Sequence, residues 1–95
     1  MNILIVEDEE LYADQLQMLI SRLGHKTCAV VENAEEALIQ FDRHSVDLAL
    51  VDINLKGEMD GLELGKWLRR FSNIPIVFIT SHYDNQEYFE KASKV

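Results

Sequence analysis

The chain has 95 residues, 47% of them hydrophobic, and a formal charge of −8 at pH 7. That describes one small globular domain, and the charge argues against these residues binding nucleic acid or an anionic membrane. No apolar stretch reaches transmembrane length, no basic leader precedes the first apolar run, and a lone cysteine, Cys28, excludes an intrachain disulfide, so a cytoplasmic setting is expected.

Short apolar runs alternate with helical spacing along the whole sequence, the pattern of a βα repeat with a parallel sheet. Ile3-Leu4-Ile5-Val6 reads as a first strand buried on both faces. From about Glu10 to Leu23, helical spacing at Tyr12, Leu16, Leu19, Ile20 and Leu23 predicts a helix that Gly24 stops. His25 to Val31 is a less apolar strand, suited to an edge, with Cys28 as a small strand residue. Asn33 and Glu36 have the spacing of a capping box before a helix with Ala37, Leu38 and Phe41 inward. A third strand over Asp47 to Asn54 contains Leu48-Ala49-Leu50-Val51. Asp60-Gly61 opens a third helix, in which Leu64, Trp67, Leu68 and Phe71 are expected in the core, together with the three methionines. Pro75 begins a fourth strand, Ile76-Val77-Phe78-Ile79, at a position where its missing N–H is tolerated. Asp84 and Glu87 then cap a last helix carrying Tyr88, Phe89, Ala92 and Val95.

Three of these strands run into residues with chemistry: the first into Glu7-Asp8, the third into Asp52 and the fourth into Thr80. Ligands of an open α/β sheet sit just beyond the carboxyl ends of its strands, so these side chains are expected to converge. Crowded carboxylates repel unless a cation neutralises them, and a hard divalent ion prefers oxygen ligands. The residues therefore predict a metal site with phosphoryl chemistry at Asp52. Glu9 and Glu10 are read as solvated acids at a helix start, and His82 as an exposed loop residue.

At Val6-Glu7-Asp8-Glu9, Leu50-Val51-Asp52-Ile53-Asn54, Met59-Asp60-Gly61 and Phe78-Ile79-Thr80-Ser81, the chain resembles the receiver domain of two-component response regulators. Order and spacing both match, with Asp52 lying 44 residues after Asp8 and Thr80 a further 28 on. The resemblance implies a flavodoxin-like, doubly wound α/β sheet in the order 2-1-3-4, four βα units of the family's five. It implies that Asp52 is the phosphoacceptor, and that Glu7, Asp8, Asp52 and the backbone carbonyl of Asn54 hold Mg²⁺. Thr80 would contact the phosphoryl group and move on activation.

By the same resemblance the donor is a sensor histidine kinase, and an effector domain belongs to the parent protein. The chain would catalyse its own phosphorylation and dephosphorylation without being a turnover enzyme. Two departures stand out. Leu55-Lys56 replaces a common Met-Pro pair in a loop one residue longer, and the family's fifth-strand lysine and aromatic residue would fall beyond Val95. Lys91 and Lys94 lie on the preceding helix and do not substitute. A fourth strand left at the edge predicts a homodimer or swapped oligomer through that strand and the last helix. Two other classes compete: a non-switching interaction or metal-binding module, and an aspartyl-nucleophile phosphatase, against which Asn54 counts because a second acid is expected there.

Overall fold

A computed structural model describes residues 1–80. Strands and helices alternate: β1 Asn2–Val6, α1 Glu10–Arg22, β2 Lys26–Val31, α2 Ala34–Arg43, β3 Leu48–Asp52, α3 Gly61–Phe71 and β4 Ile76–Ile79. The four strands form one parallel sheet in the order β2-β1-β3-β4, as the resemblance implied. The helix expected from Asp84 to Val95, with Tyr88, Phe89 and Ala92, lies outside the described residues, as do Ser81 and His82.

Successive side chains of a strand point to opposite faces, so one strand can serve two layers. On β1, Leu4 and Val6 pack with Ala34 and Ala37 of α2 and Leu64 and Leu68 of α3. Ile3 and Ile5, turned the other way, pack with Leu16 and Ile20 of α1. β1 is thus covered on both faces, which is why its sequence is apolar without alternation. Each large side chain fully buried this way contributes about 1.5–3 kcal/mol. β2 sits at one edge and is only partly buried, apart from Val31. Cys28 is half-buried there and free, and burial pushes its thiol pKa up, away from the reactive form.

The helix ends follow local chemistry. α1 stops as expected, with Gly24 at φ 82° and its N–H donating to the Ser21 carbonyl. Asn33 caps α2 by accepting from the Glu36 N–H at 2.8 Å. α3 has the full reciprocal box, with the Asp60 carboxylate accepting from the Glu63 N–H at 2.9 Å and Glu63 accepting from the Asp60 N–H at 3.4 Å.

Several expected core residues are on the surface. Trp67 is 41% exposed and Phe71 70%, against 0% for Leu64 and 1% for Leu68. The cause is a pair of glycines. Gly61 and Gly65 bring α3 close to β3 and β4, so the buried arc is Gly61-Leu64-Gly65-Leu68 and the aromatics are turned off its flank. Leu19 and Leu23 of the first helix pattern are likewise exposed, because Ala13, Leu16 and Ile20 make the narrow inner stripe. Of the methionines, Met1 and Met18 are exposed, and only Met59 packs on the core.

Candidate metal centre

The register of the sheet brings the predicted residues together. Val6 pairs with Val51, so Glu7 and Asp52 lie level at the carboxyl edge of neighbouring strands. Asp52 in turn pairs with Ile79, which places Thr80 one residue beyond it on the other side. The ladder continues past the strand ends, with the Glu7 N–H donating to the Val31 carbonyl and the Ile53 N–H to the Ile79 carbonyl. Carboxylate oxygens of Glu7, Asp8 and Asp52 fall within 4.8 Å of one another. Glu7 and Asp52 are buried and Asp8 is half-buried.

Two of the three, Asp52 and Glu7, are fixed by their surroundings. Asp52 Oδ1 accepts from the Asn54 N–H at 2.9 Å, which holds the plane of the carboxylate. Ile53 and Leu55, both 5% exposed, pin the loop that follows. Gly61 presses the start of α3 against the Asp52 carbonyl so closely that any Cβ at position 61 would collide with it. Glu7 Oε1 accepts from the Glu9 N–H at 3.2 Å at the start of α1, where the helix dipole favours negative charge.

The electrostatics are those of a cluster that could hold a cation. Glu7 Oε2 is buried and, with Glu7 ionised, has no hydrogen-bond donor among the described residues. Burial, and next the neighbouring charge of Asp52, push the Glu7 pKa up to about 8. A buried carboxylate left in this state is costly, and a hard divalent cation between the three oxygens would relieve both the repulsion and the unmet lone pairs. The donor set is all oxygen and acidic, as such an ion requires.

Sequence reasoning missed three features around this cluster. Tyr12 packs on the α1 side of the sheet, and burial followed by the charges of Glu7 and Asp52 raises its phenol pKa, so it sits within their field. A groove of about 480 Å³ opens beside Asp8, lined also by Glu32, Asn33, Glu35 and Lys56. Lys56, from the lengthened loop, therefore faces the rim of the acidic cluster. The Asn54 amide is the third, since its backbone bond to Asp52 leaves no signature in the residue type.

The family follows from comparison with known proteins. The family model for the response regulator receiver domain matches residues 3–95. The sensory transduction protein RegX3 of Mycobacterium tuberculosis (strain ATCC 25618 / H37Rv) is 40% identical over 80 residues, 84% of this chain and 34% of that protein. The two-component response regulator PhoP of Pseudomonas aeruginosa is 37% identical over 91 residues, 95% of this chain and 40% of that one. Among solved structures, the PhyR response regulator REC domain of Erythrobacter litoralis superposes with a TM-score of 0.79 at 30% identity, covering 85% of this chain and 63% of that one. The signal receiver domain of a modulated diguanylate cyclase from Desulfovibrio desulfuricans G20 gives 0.81 at 40% identity, covering 98% and 74%. This chain belongs to the response regulator receiver domain family. It spans about a third of the length of the first curated relatives it matches. No helix among the described residues is long and apolar enough to cross a membrane.

Proposed function

We propose that this chain is a phosphoacceptor module that takes a phosphoryl group from a sensor histidine kinase onto Asp52 and switches partner contacts in response. The observation that carries the reading is the triad of carboxylates within 4.8 Å, one of them holding a buried oxygen beside Asp52 that has no partner among the described residues. Glu7, Asp8, Asp52 and the Asn54 carbonyl are the residues that would hold Mg²⁺. Such an ion, when bound, offsets the charge of the carboxylates and of the incoming phosphoryl group.

The chain's own residues do the rest. Asp52, held by the Asn54 N–H, attacks phosphorus through a carboxylate oxygen. The new O–P bond forms as the P–N bond to the donor imidazole breaks, and that imidazole keeps a proton as it leaves. Positioning supplies much of the acceleration, which fits a nucleophile locked between buried Ile53 and the packed start of α3. Thr80, one residue beyond Ile79 of β4, is the residue whose hydroxyl would meet a phosphoryl oxygen. The module modifies itself and is not a turnover enzyme. An effector domain in a longer parent protein and a cytoplasmic setting belong with this reading. So does association with a second copy through β4, at the edge of the described sheet, which sedimentation tests.

Intact mass after treatment with acetyl phosphate, with and without Mg²⁺, tests the proposal directly. A metal-dependent gain of one phosphoryl group, absent in Asp52→Asn, is the expected result. Mg²⁺ binding with no mass gain would instead indicate an interaction module, and steady phosphate release from a general substrate would indicate a phosphatase.

A further inference from the structure

The loop after Asp52 rests on that residue at both ends. At its start the Asn54 N–H donates to Asp52 Oδ1 at 2.9 Å, and at its end Gly61 packs on the Asp52 carbonyl. Between them Leu55 is drawn into the core, and Gly57 turns the chain at φ 114°, a conformation that favours glycine. Lys56 stands between these two and is exposed. It lines the groove of about 480 Å³ beside Asp8, with Glu32, Asn33, Glu35 and Gly57 as the other walls.

That groove joins Lys56 to the acidic edge through a shared residue. Asp8 belongs to its lining, and an Asp8 oxygen lies within 4.8 Å of oxygens of Glu7 and Asp52. Of the described lining residues, three are carboxylates and Lys56 is the one cation. Asn33 is engaged in capping α2. Glu32 and Glu35 are exposed, so water screens their attraction for the Lys56 ammonium. Asp8 is half-buried, and Glu7 and Asp52 behind it are buried, so the field of the triad is the less screened one.

A positive charge in this place acts in opposite directions on the two ligands of the site. It repels a divalent cation among the three oxygens and attracts the anionic phosphoryl group that Asp52 would carry. Both effects act through space and need no direct contact. We propose that Lys56 sets the charge balance of the acidic edge, lowering its affinity for a divalent cation and raising its affinity for the phosphoryl donor. This rests on the reading of Glu7, Asp8 and Asp52 as the metal and phosphoryl site. Lys56 acts there as a positioning residue, through the field it adds to that of Asp8.

The test is a charge series in the whole chain: Lys56→Arg, Lys56→Gln and Lys56→Glu, each titrated with MgCl₂ by calorimetry at low ionic strength. Lys56→Arg should match the parent. Lys56→Gln should bind Mg²⁺ about two- to fivefold more tightly, and Lys56→Glu by about that factor again, the gaps narrowing as KCl is raised. At saturating Mg²⁺, the acetyl phosphate concentration giving half the limiting phosphorylation rate should rise in the same order, while the limiting rate changes little. A purely structural role of the loop would weaken both ligands together and lower the urea midpoint, which should hold steady at this exposed position.

Equal Mg²⁺ affinities across the series, or weaker binding in Lys56→Gln and Lys56→Glu, would overturn the role of Lys56 while leaving the metal site standing. A half-saturating acetyl phosphate concentration that ignores the series would overturn it too. No Mg²⁺ uptake by the parent chain would instead remove the metal site itself, and this proposal with it.

Discussion

Leu4, in the middle of β1, is 0% exposed, and Glu7, just past its end, is 2% exposed. The two are buried alike and differ in what burial does. Leu4 leaves water for a packed apolar layer, and the fold gains. Glu7 leaves water for a place beside Asp52, keeps one oxygen without a partner among the described residues, and has its pKa pushed up to about 8. The sheet's middle is therefore the source of stability and its carboxyl edge a cost carried on that stability. A cation at this edge would satisfy groups that the described residues leave unsatisfied.

The largest loss is expected in the apolar middle of the sheet. Leu64→Ala removes a fully buried side chain facing Leu4 and Val6 and should cost about 4 kcal/mol, read by urea unfolding. Mg²⁺ should recover little of this loss beyond what it gives the parent chain, because the cavity lies away from the acidic edge.

The acidic edge should instead respond to pH. With a folded-state pKa of about 8 against an ordinary 4.5, folded Glu7 keeps a proton that the unfolded chain has lost. Stability is thus greatest at the acid side of this window and falls as pH rises toward 8. The slope approaches about 1 kcal/mol per pH unit, or about 3 kcal/mol from pH 5 to 8 without metal. Glu7→Gln should flatten that slope in thermal melts. Mg²⁺ should flatten it too, by taking the proton's place, and its uptake at neutral pH should release protons.

Two smaller effects separate the edge's geometry from its charge. Gly61→Ala forces a methyl against the Asp52 carbonyl and should cost about 2 kcal/mol. Because the strain falls on the Asp52 backbone, phosphoryl uptake from acetyl phosphate should slow more than stability alone would explain. Asp60→Ala removes the α3 cap at a loss of about 1 kcal/mol in unfolding experiments, and should leave the metal dependence of phosphorylation intact.

Much of this was legible in the residues. The continuous apolar runs identified the central strands because β1 and β3 are covered on both faces, and the polar residue ending each run located the edge where ligands gather. The carboxylate triad was legible for the same reason: strand ends in a parallel sheet meet at one level. Trp67 and Phe71 were misjudged as core because helical spacing identifies an apolar stripe without saying how wide the neighbouring surface is. Gly61 and Gly65 set that width for α3, and their effect is a distance of approach, which spacing does not encode. Tyr12 was legible as an inward residue but not as a neighbour of Glu7 and Asp52, since that depends on how α1 lies across β1. The fold also spread its caps differently from the pattern, with the reciprocal box at Asp60 and Glu63.

One contact made by Glu7 links the site to a helix. Glu9 occupies the N-cap position of α1 without a side-chain cap bond of its own, and its N–H is held by Glu7 Oε1. The first turn of α1 is therefore tethered through the very carboxylate that a cation would claim. Any rotation of Glu7 toward an ion would change what anchors that turn, in which Leu11 stands 80% exposed.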